Sequence, residues 1–250
     1  MGKRVVDDTA LTTLANTIRN KAGTTEPLVF PADFTAGIEA AFAAGNQSGY
    51  DFFWDTLQQN GSRTSYACAF GGWVDAIFKP KYDIRPTDGY MMFRSTNIKD
   101  LKNLPVKLDF SNTINTQYMF QWASTQQLGE LDLRSVGNQC DNMFSYTYNL
   151  HTIDKLILKD DGTQSLKENM FTEAIALRNV EIEGVIGKTF SFKWSNKLSK
   201  SSITSIIAAL STATSGLSLT LSITAVGNAF TDEEWATLVN TRPNWTINLV

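Results

Sequence analysis

A Met-Phe pair recurs four times through the middle of the chain, and no other feature of the sequence constrains the fold as much. Successive phenylalanines of the pairs are 27, 24 and 27 residues apart, and a weaker motif over 190–192 brings the next one 21 residues later. A unit of this length buries too little apolar surface alone, whereas stacked units share one core. The recurrence therefore predicts repeats of the leucine-rich type, whose period is about 20–29 residues. The pairs are Met92-Phe93, Met119-Phe120, Met143-Phe144 and Met170-Phe171.

A short run of alternating apolar and polar residues follows the inner pairs. Leu131 and Leu133 alternate with polar residues in the first run, as Val180 and Ile182 do in the third. Such alternation is typical of a strand with one buried face. We therefore predict an α+β chain in which residues 101–198 form an irregular leucine-rich-repeat-like solenoid with short stacked strands. The runs are LGELDL (128–133), LHTIDKLIL (150–158) and LRNVEIEG (177–184).

Residues 199–250 carry the signals of alternating helices and strands. A helix is predicted after Ser199 or Ser201, either of which could cap it, and a half-buried strand over 217–223. Thr231 and Glu234 have the spacing of a capping box for a further helix, and a final strand is predicted over 245–250. Because the open end of a repeat core must be covered, we expect this α/β segment to be a C-terminal cap.

The N-terminal part of the chain differs from the repeats. Over 8–22 and again from Pro31 to Gly45, apolar residues recur at helical spacing, which predicts two short amphipathic helices. Two such helices bury too little surface to fold alone. We therefore expect 1–45 to be a helical segment for attachment or oligomerisation, followed by an aromatic-rich module over 46–100.

Composition excludes two classes of partner. The net charge is −3, with 22 basic and 25 acidic residues and no long block of one sign, which argues against nucleic-acid binding. No window approaches the roughly 18 consecutive apolar residues of a membrane span, and no signal peptide is readable. We therefore expect a protein that neither binds nucleic acid nor inserts into a membrane.

Residues with catalytic or metal-binding potential are few. His151 is the only histidine, so Ser-His-Asp, Cys-His and zinc sites lack partners. The segment 187–189 (GKT) resembles the end of a phosphate-binding loop, but Ile182 stands where that loop needs glycine. We expect no enzyme activity, no cofactor and no metal. Cys68 and Cys140 are interpreted as two buried or half-buried thiols, with a single disulfide as the alternative. Scattered carboxylates, which leave a glycosidase pair as the alternative, are Asp154, Asp160, Asp161 and Glu168.

One set of positions indicates a binding surface. Aromatic residues stand two positions after three of the repeat phenylalanines, as Trp122, Tyr146 and Trp194, while Ser95 and Glu173 occupy the equivalent places. In stacked repeats these three rings would line one edge. Because aromatic side chains often dominate interfaces, we take the three residues as candidate ligand-binding residues. The alternative is that the rings are additional core residues, because large aromatics are usually at least partly buried.

The Met-Phe pairs, with a polar turn and an anchoring leucine after them, resemble the BspA-like leucine-rich repeats of bacterial surface proteins over residues 90–200. The turn after Phe120 is two residues longer than those after Phe144 and Phe171, and it lacks the usual cysteine. The resemblance implies a repeat body that presents a binding surface. It leaves a bacterial surface adhesin of the same repeat class as one alternative.

A second resemblance lies at the N-terminus, where Lys21, Gly23, Thr24 and Pro27 match the turn between two helices in tail-associated proteins of phages and prophages of Gram-positive bacteria. The stretch FGGWVDAIFKPKYDI and the run LDFSNT (108–113) also resemble leucine-rich-repeat proteins of such prophages. These likenesses imply a tail fibre, baseplate or receptor-binding component on the virion tail. Implied partners are other tail proteins, a host surface polysaccharide or protein, and further copies of the chain, with a trimer as the first expectation. A tail-borne polysaccharide depolymerase is the enzymatic alternative.

Overall fold

The computed structural model describes residues 54–55, 57–76 and 78–250. The two predicted N-terminal helices, and with them the whole segment 1–45, lie outside the described residues. The chain separates into two compact units, one made of the part up to Arg63 with Lys79–Tyr82, the other of Thr64–Phe78 with Asp83–Val250. The aromatic-rich module expected over 46–100 is thus divided between the two units.

Polar contacts organise the described part of the first unit around a short 3₁₀ helix, Gln59–Gly61. The buried side chain of Gln58 accepts hydrogen bonds from the backbone N–H groups of Lys81 and Tyr82 and donates to the Tyr82 carbonyl at 2.7 Å. Asp55 accepts hydrogen bonds from Lys81 and from the Tyr82 hydroxyl. The bond from Lys81, with that from Tyr82, lowers the pKa of Asp55.

The second unit contains two three-stranded parallel sheets and three helices. The first sheet has the order β1-β2-β3 and the second β4-β5-β6. The strands are β1 Gln127–Asp132, β2 Thr152–Ile157, β3 Asn179–Glu183, β4 Phe190–Phe192, β5 Leu217–Leu221 and β6 Trp245–Leu249. The helices are α1 Lys200–Ala208, α2 Ile223–Ala229 and α3 Asp232–Val239.

The predicted strands and caps can be compared directly with these elements. Strands β2 and β3 fall within their alternating runs, and β1 overlaps the first run but begins one residue earlier, at Gln127. Helix α3 has both hydrogen bonds of the predicted capping box. Of the two candidate caps for α1, Ser199 is the one used, since its hydroxyl accepts from the Ser202 N–H. The predicted strand over 217–223 is wrong at its end. The chain turns at Ser222, and Ile223 becomes the first residue of α2 and is 58% exposed.

A continuous stack of phenylalanine rings runs through the second unit. Neighbouring ring centroids are 5.2, 5.3, 5.5, 4.8 and 4.6 Å apart. The ring of Phe120 is within 3° of parallel to those of Phe93 and Phe144. All six rings are buried. The stack begins one repeat earlier than the Met-Phe pairs. Its first ring is Phe70, which is preceded by alanine instead of methionine. Its members are Phe70, Phe93, Phe120, Phe144, Phe171 and Phe192.

Backbone hydrogen bonds join one repeat to the next at the same positions. The N–H groups of Phe93, Phe120 and Phe144 donate to the carbonyl of the methionine in the following pair, at 2.8–2.9 Å. Successive repeats are therefore in register along the ring stack. Two small sheets and three helices do not by themselves establish a solenoid, so the leucine-rich-repeat-like solenoid stays a prediction.

Helix α1 covers the outer edge of β3, where an unpaired strand edge would otherwise be exposed. The N–H groups of Val180 and Ile182 donate to the hydroxyls of Ser202 and Ser205, each at 2.9 Å. The two serines are three residues apart and so lie on one helix face. Open strand edges favour unwanted pairing, and these hydroxyls satisfy the strand donors instead.

We expect Ser202→Ala to destabilise the chain by about 1–3 kcal/mol, because the buried Val180 N–H would lose its acceptor. Ser202 also donates to the Arg178 carbonyl. Urea unfolding measures the effect. Ser201→Ala on the exposed face of the same helix is the matched control and should change stability by less than about 0.5 kcal/mol. Equal effects of the two substitutions would contradict this role.

Candidate functional site

A left-handed backbone residue stands two positions after each phenylalanine of the stack up to Phe171. The φ angles are 57° at Ser95, 57° at Trp122, 61° at Tyr146 and 55° at Glu173, while Gly72 has 76° in the first repeat. A side chain makes this conformation unfavourable, so surrounding contacts must hold it. Backbone bonds do so, since the Ser95 N–H donates to the Gln121 carbonyl and the Tyr146 N–H to the Thr172 carbonyl, both at 2.8 Å.

Three aromatic side chains meet at these turns and form what we call the aromatic ridge: Trp122, Tyr146 and Tyr148. The ring centroids of Trp122 and Tyr146 are 5.6 Å apart, and those of Tyr146 and Tyr148 are 6.3 Å apart. Trp122 is 48% exposed, Tyr148 is 47% exposed and Tyr146 is half-buried. Trp122 is therefore not a core residue, in contrast to the stacked phenylalanines.

A charged residue flanks the ridge at each end. The guanidinium carbon of Arg94 lies 5.2 Å from the centroid of the Trp122 ring and covers one of its faces. At the other end the Tyr148 hydroxyl donates to a Glu173 carboxylate oxygen at 3.0 Å, and this bond raises the pKa of Tyr148. The ridge thus combines exposed ring surface with a cation at one end and an anion at the other.

Trp194 lies apart from the ridge, although the spacing placed it in line with the other two rings. It is 41% exposed, and the Lys193 ammonium is 5.3 Å from its ring centroid. Within the described ranges it makes no ring contact with Trp122 or Tyr146. The expected line of three rings along one edge does not form, because Glu173 occupies the equivalent turn in between. In the last repeat, Phe192 ends strand β4, and Trp194 does not have the left-handed turn.

Arg94 and Tyr148 were not among the predicted site residues. Arg94 directly follows Phe93, and Tyr148 is four residues after Phe144, so neither stands at the offset of two residues that Trp122 and Tyr146 share. A signal for Tyr148 was present in the Tyr-x-Tyr pattern of SYTYNL. Nothing in the sequence indicated the contact between Arg94 and Trp122, which joins residues of two different repeats.

A groove separate from the aromatic ridge lies between α1 and the strands β2 and β3, with a volume of about 840 Å³. Most of its lining residues have polar side chains, and they include Asp154 of β2 and Glu181 of β3. Asp154 forms an ion pair with Lys102 at 2.8 Å. Lys200, also on the lining, is paired with Glu234. The groove is the place where the glycosidase alternative would find two carboxylates on neighbouring strands.

The remaining candidates for chemistry are separate from both surfaces. Cys140 is buried, as expected, whereas Cys68 is exposed, and no disulfide joins the two. Burial raises the pKa of the Cys140 thiol to about 11, so it is protonated at neutral pH. His151 is half-buried before β2, and its ring lies 3.5 Å from the Thr152 hydroxyl. Among the described residues no cluster of His, Cys, Asp or Glu could hold a metal ion.

No helix in the described part of the chain is long and apolar enough to cross a membrane. Comparisons with protein-family models, with curated proteins and with solved structures returned no match. The geometry of the chain and the resemblances of its sequence are therefore the observations that bear on its function.

Proposed function

We propose that this chain is a non-enzymatic binding and structural component of a phage or prophage tail, in a fibre, baseplate or receptor-binding protein. Residues 101–198 form a leucine-rich-repeat-like solenoid that presents a surface to the host or to a tail partner, and the N-terminal segment attaches the protein to the virion. The chain is made in the bacterial cytoplasm and acts on the released particle. The tail assignment rests on the two sequence resemblances.

The exposed aromatic ridge is the observation that carries the binding role. Trp122 and Tyr148 are exposed and so contribute little to core packing, and both rings contact Tyr146. Trp122 and Tyr146 stand on turns with unfavourable left-handed backbone angles. Rigid aromatic side chains contribute much of the energy of protein interfaces, and they offer flat faces to sugar rings. A host surface polysaccharide or protein is thus the proposed partner of the ridge.

We expect the double variant Trp122→Ala/Tyr146→Ala to fold and to lose at least about tenfold in affinity for host cells, since hot-spot aromatics contribute about 2 kcal/mol or more each. Binding of labelled protein to cells measures the loss, and thermal melting reports folding. Trp194→Ala, outside the ridge but similarly exposed, is the matched control for a large aromatic. Unchanged cell binding by the folded double variant would contradict the role of the ridge.

We expect the full chain to self-associate through residues 1–45, with a trimer as the first expectation, since two short helices alone bury too little surface to offset their conformational entropy. Sedimentation equilibrium of the full chain measures its mass. Replacing the apolar stripe residues Leu14 and Ile18 with glutamate should lower that mass to the monomer. A monomeric parent chain, or a variant that keeps the parent's mass, would overturn this assignment.

Two further experiments separate the alternatives. If the proposal holds, electron micrographs of particles labelled for this protein should show the label on the tail. The adhesin alternative predicts label on the bacterial surface instead. The depolymerase alternative has the groove beside α1 in its favour, because Asp154 and Glu181 line it. That alternative predicts new reducing ends when the chain is incubated with host polysaccharide, and their loss in Glu181→Gln.

A further inference from the structure

Arg94 is incompletely paired within the described chain, although it is half-buried beside the ridge. Its Nη1 donates to the Met91 sulfur at 3.5 Å, and its Nε is buried with no hydrogen-bond partner. A thioether is a weak acceptor, and a guanidinium carries five N–H donors. None of the ion pairs among the described residues includes Arg94. The buried Nε is not accessible to a ligand, so the remaining N–H donors of the Nη groups are the ones left for an external acceptor.

Building on the recognition role proposed above, we propose that the aromatic ridge binds an anionic saccharide, and that Arg94 holds its carboxylate or phosphate group. The planar guanidinium presents paired N–H donors that match both kinds of oxygen anion. Its position over the Trp122 ring restricts the side chain before any ligand arrives, which lowers the entropy lost on binding. The rings beyond it offer flat surfaces for the neighbouring sugars.

The charges at the two ends of the ridge give the ligand a direction. Arg94 and Glu173 lie three repeats apart along the phenylalanine stack, roughly 15 Å at about 4.8 Å per repeat. Glu173 repels a second acidic group at its end, while its carboxylate and the Tyr148 hydroxyl can bond to sugar hydroxyls or to an amine. The ridge thus favours an oligosaccharide with a single acidic residue, placed at the Arg94 end, over a uniformly acidic chain.

The test uses the full chain and three tetrasaccharide probes with a common backbone. The first carries a single uronic acid, the second has that carboxylate reduced to an alcohol, and the third carries a phosphate at the same position. Calorimetric titration should show the acidic probes binding at least about tenfold more tightly than the neutral one, with affinity falling as salt rises. The stronger of the carboxylate and phosphate probes identifies which anion the ridge prefers.

Variants assign the effect to Arg94. Arg94→Gln should weaken the preferred acidic probe about tenfold and leave the neutral probe unchanged. Arg94→Lys keeps the charge but loses the paired donors, so its affinity for the acidic probe should lie between those of the parent chain and Arg94→Gln. Lys193→Gln removes the same charge from beside Trp194 and is the matched control, with no effect on any probe. Thermal melting of each variant verifies folding.

Two results would overturn the inference. Equal affinity for acidic and neutral probes would exclude an anionic ligand, and acidic binding that a folded Arg94→Gln keeps would exclude Arg94 as the group that holds the anion. The recognition role would stand in both cases. Failure of both acidic probes to bind at millimolar concentration would overturn the inference as well. The cell-binding assay of the Trp122→Ala/Tyr146→Ala variant decides separately whether the proposed function holds.

Discussion

Replacement of Phe144 by alanine should destabilise the chain by about 3–5 kcal/mol, enough to unfold a marginally stable domain. The ring is fully buried between Phe120 and Phe171, with centroids at 5.5 and 4.8 Å. Its removal leaves a cavity that neighbours on both sides cannot fill without breaking register, because backbone bonds fix the repeats relative to each other. Urea unfolding of parent and variant measures the loss.

Phe230→Ala is the matched control for this substitution. Phe230 is half-buried beside Trp235, with ring centroids 5.8 Å apart, and lies outside the phenylalanine stack. Its removal should cost less than half as much, because a partly exposed ring leaves less of a cavity. A Phe144→Ala variant that melts within a degree or two of the parent would show that the ring stack is not the core.

Replacement of Gly184 by alanine should destabilise the chain by about 2–5 kcal/mol, from left-handed strain and steric overlap together. Gly184 directly follows β3 and has a φ of +91°. A Cβ atom there would overlap the backbone carbonyl of Leu158, which belongs to the neighbouring repeat and cannot rotate away as a side chain could. Thermal or urea unfolding measures the effect.

Two other glycines separate these contributions. Gly216 has a φ of +74° with open space around the missing Cβ, so Gly216→Ala should cost only the conformational strain, about 1–2 kcal/mol. Gly129, inside β1, has neither the positive φ nor a close neighbour. Gly129→Ala should leave stability unchanged or raise it by up to about 1 kcal/mol. Equal effects of all three substitutions would show that the overlap with Leu158 does not contribute to the loss of stability.

Much of the second unit could be predicted because its signals are local. The alternation of Val180 with Ile182 depends only on which face of a strand is buried, and the capping box of Thr231 with Glu234 depends only on backbone donors within one helical turn. The spacing of the phenylalanines was informative for a similar reason. Identical contacts between successive units require identical residues at a regular interval.

Features that join distant residues without a repeated spacing were not readable from the sequence. Phe70 belongs to the ring stack without a preceding methionine, and Ile223 begins a helix although the alternation before it suits a strand. The serines that complete the edge of β3 are 22 and 23 residues away from the donors they satisfy. In each case the partner is chosen by packing, which no single stretch of sequence encodes.

The candidate site likewise has residues that the sequence predicted and residues that it did not. The sequence by itself determined that aromatic residues recur at one offset from the repeat phenylalanines, which identified Trp122 and Tyr146. Only the tertiary structure decided that Trp194 stands apart, that Tyr148 joins the ridge and that Arg94 covers the Trp122 ring. The physical reason is that an offset specifies a place in each repeat, whereas the contacts of a side chain depend on how long the neighbouring repeats are and how each one turns.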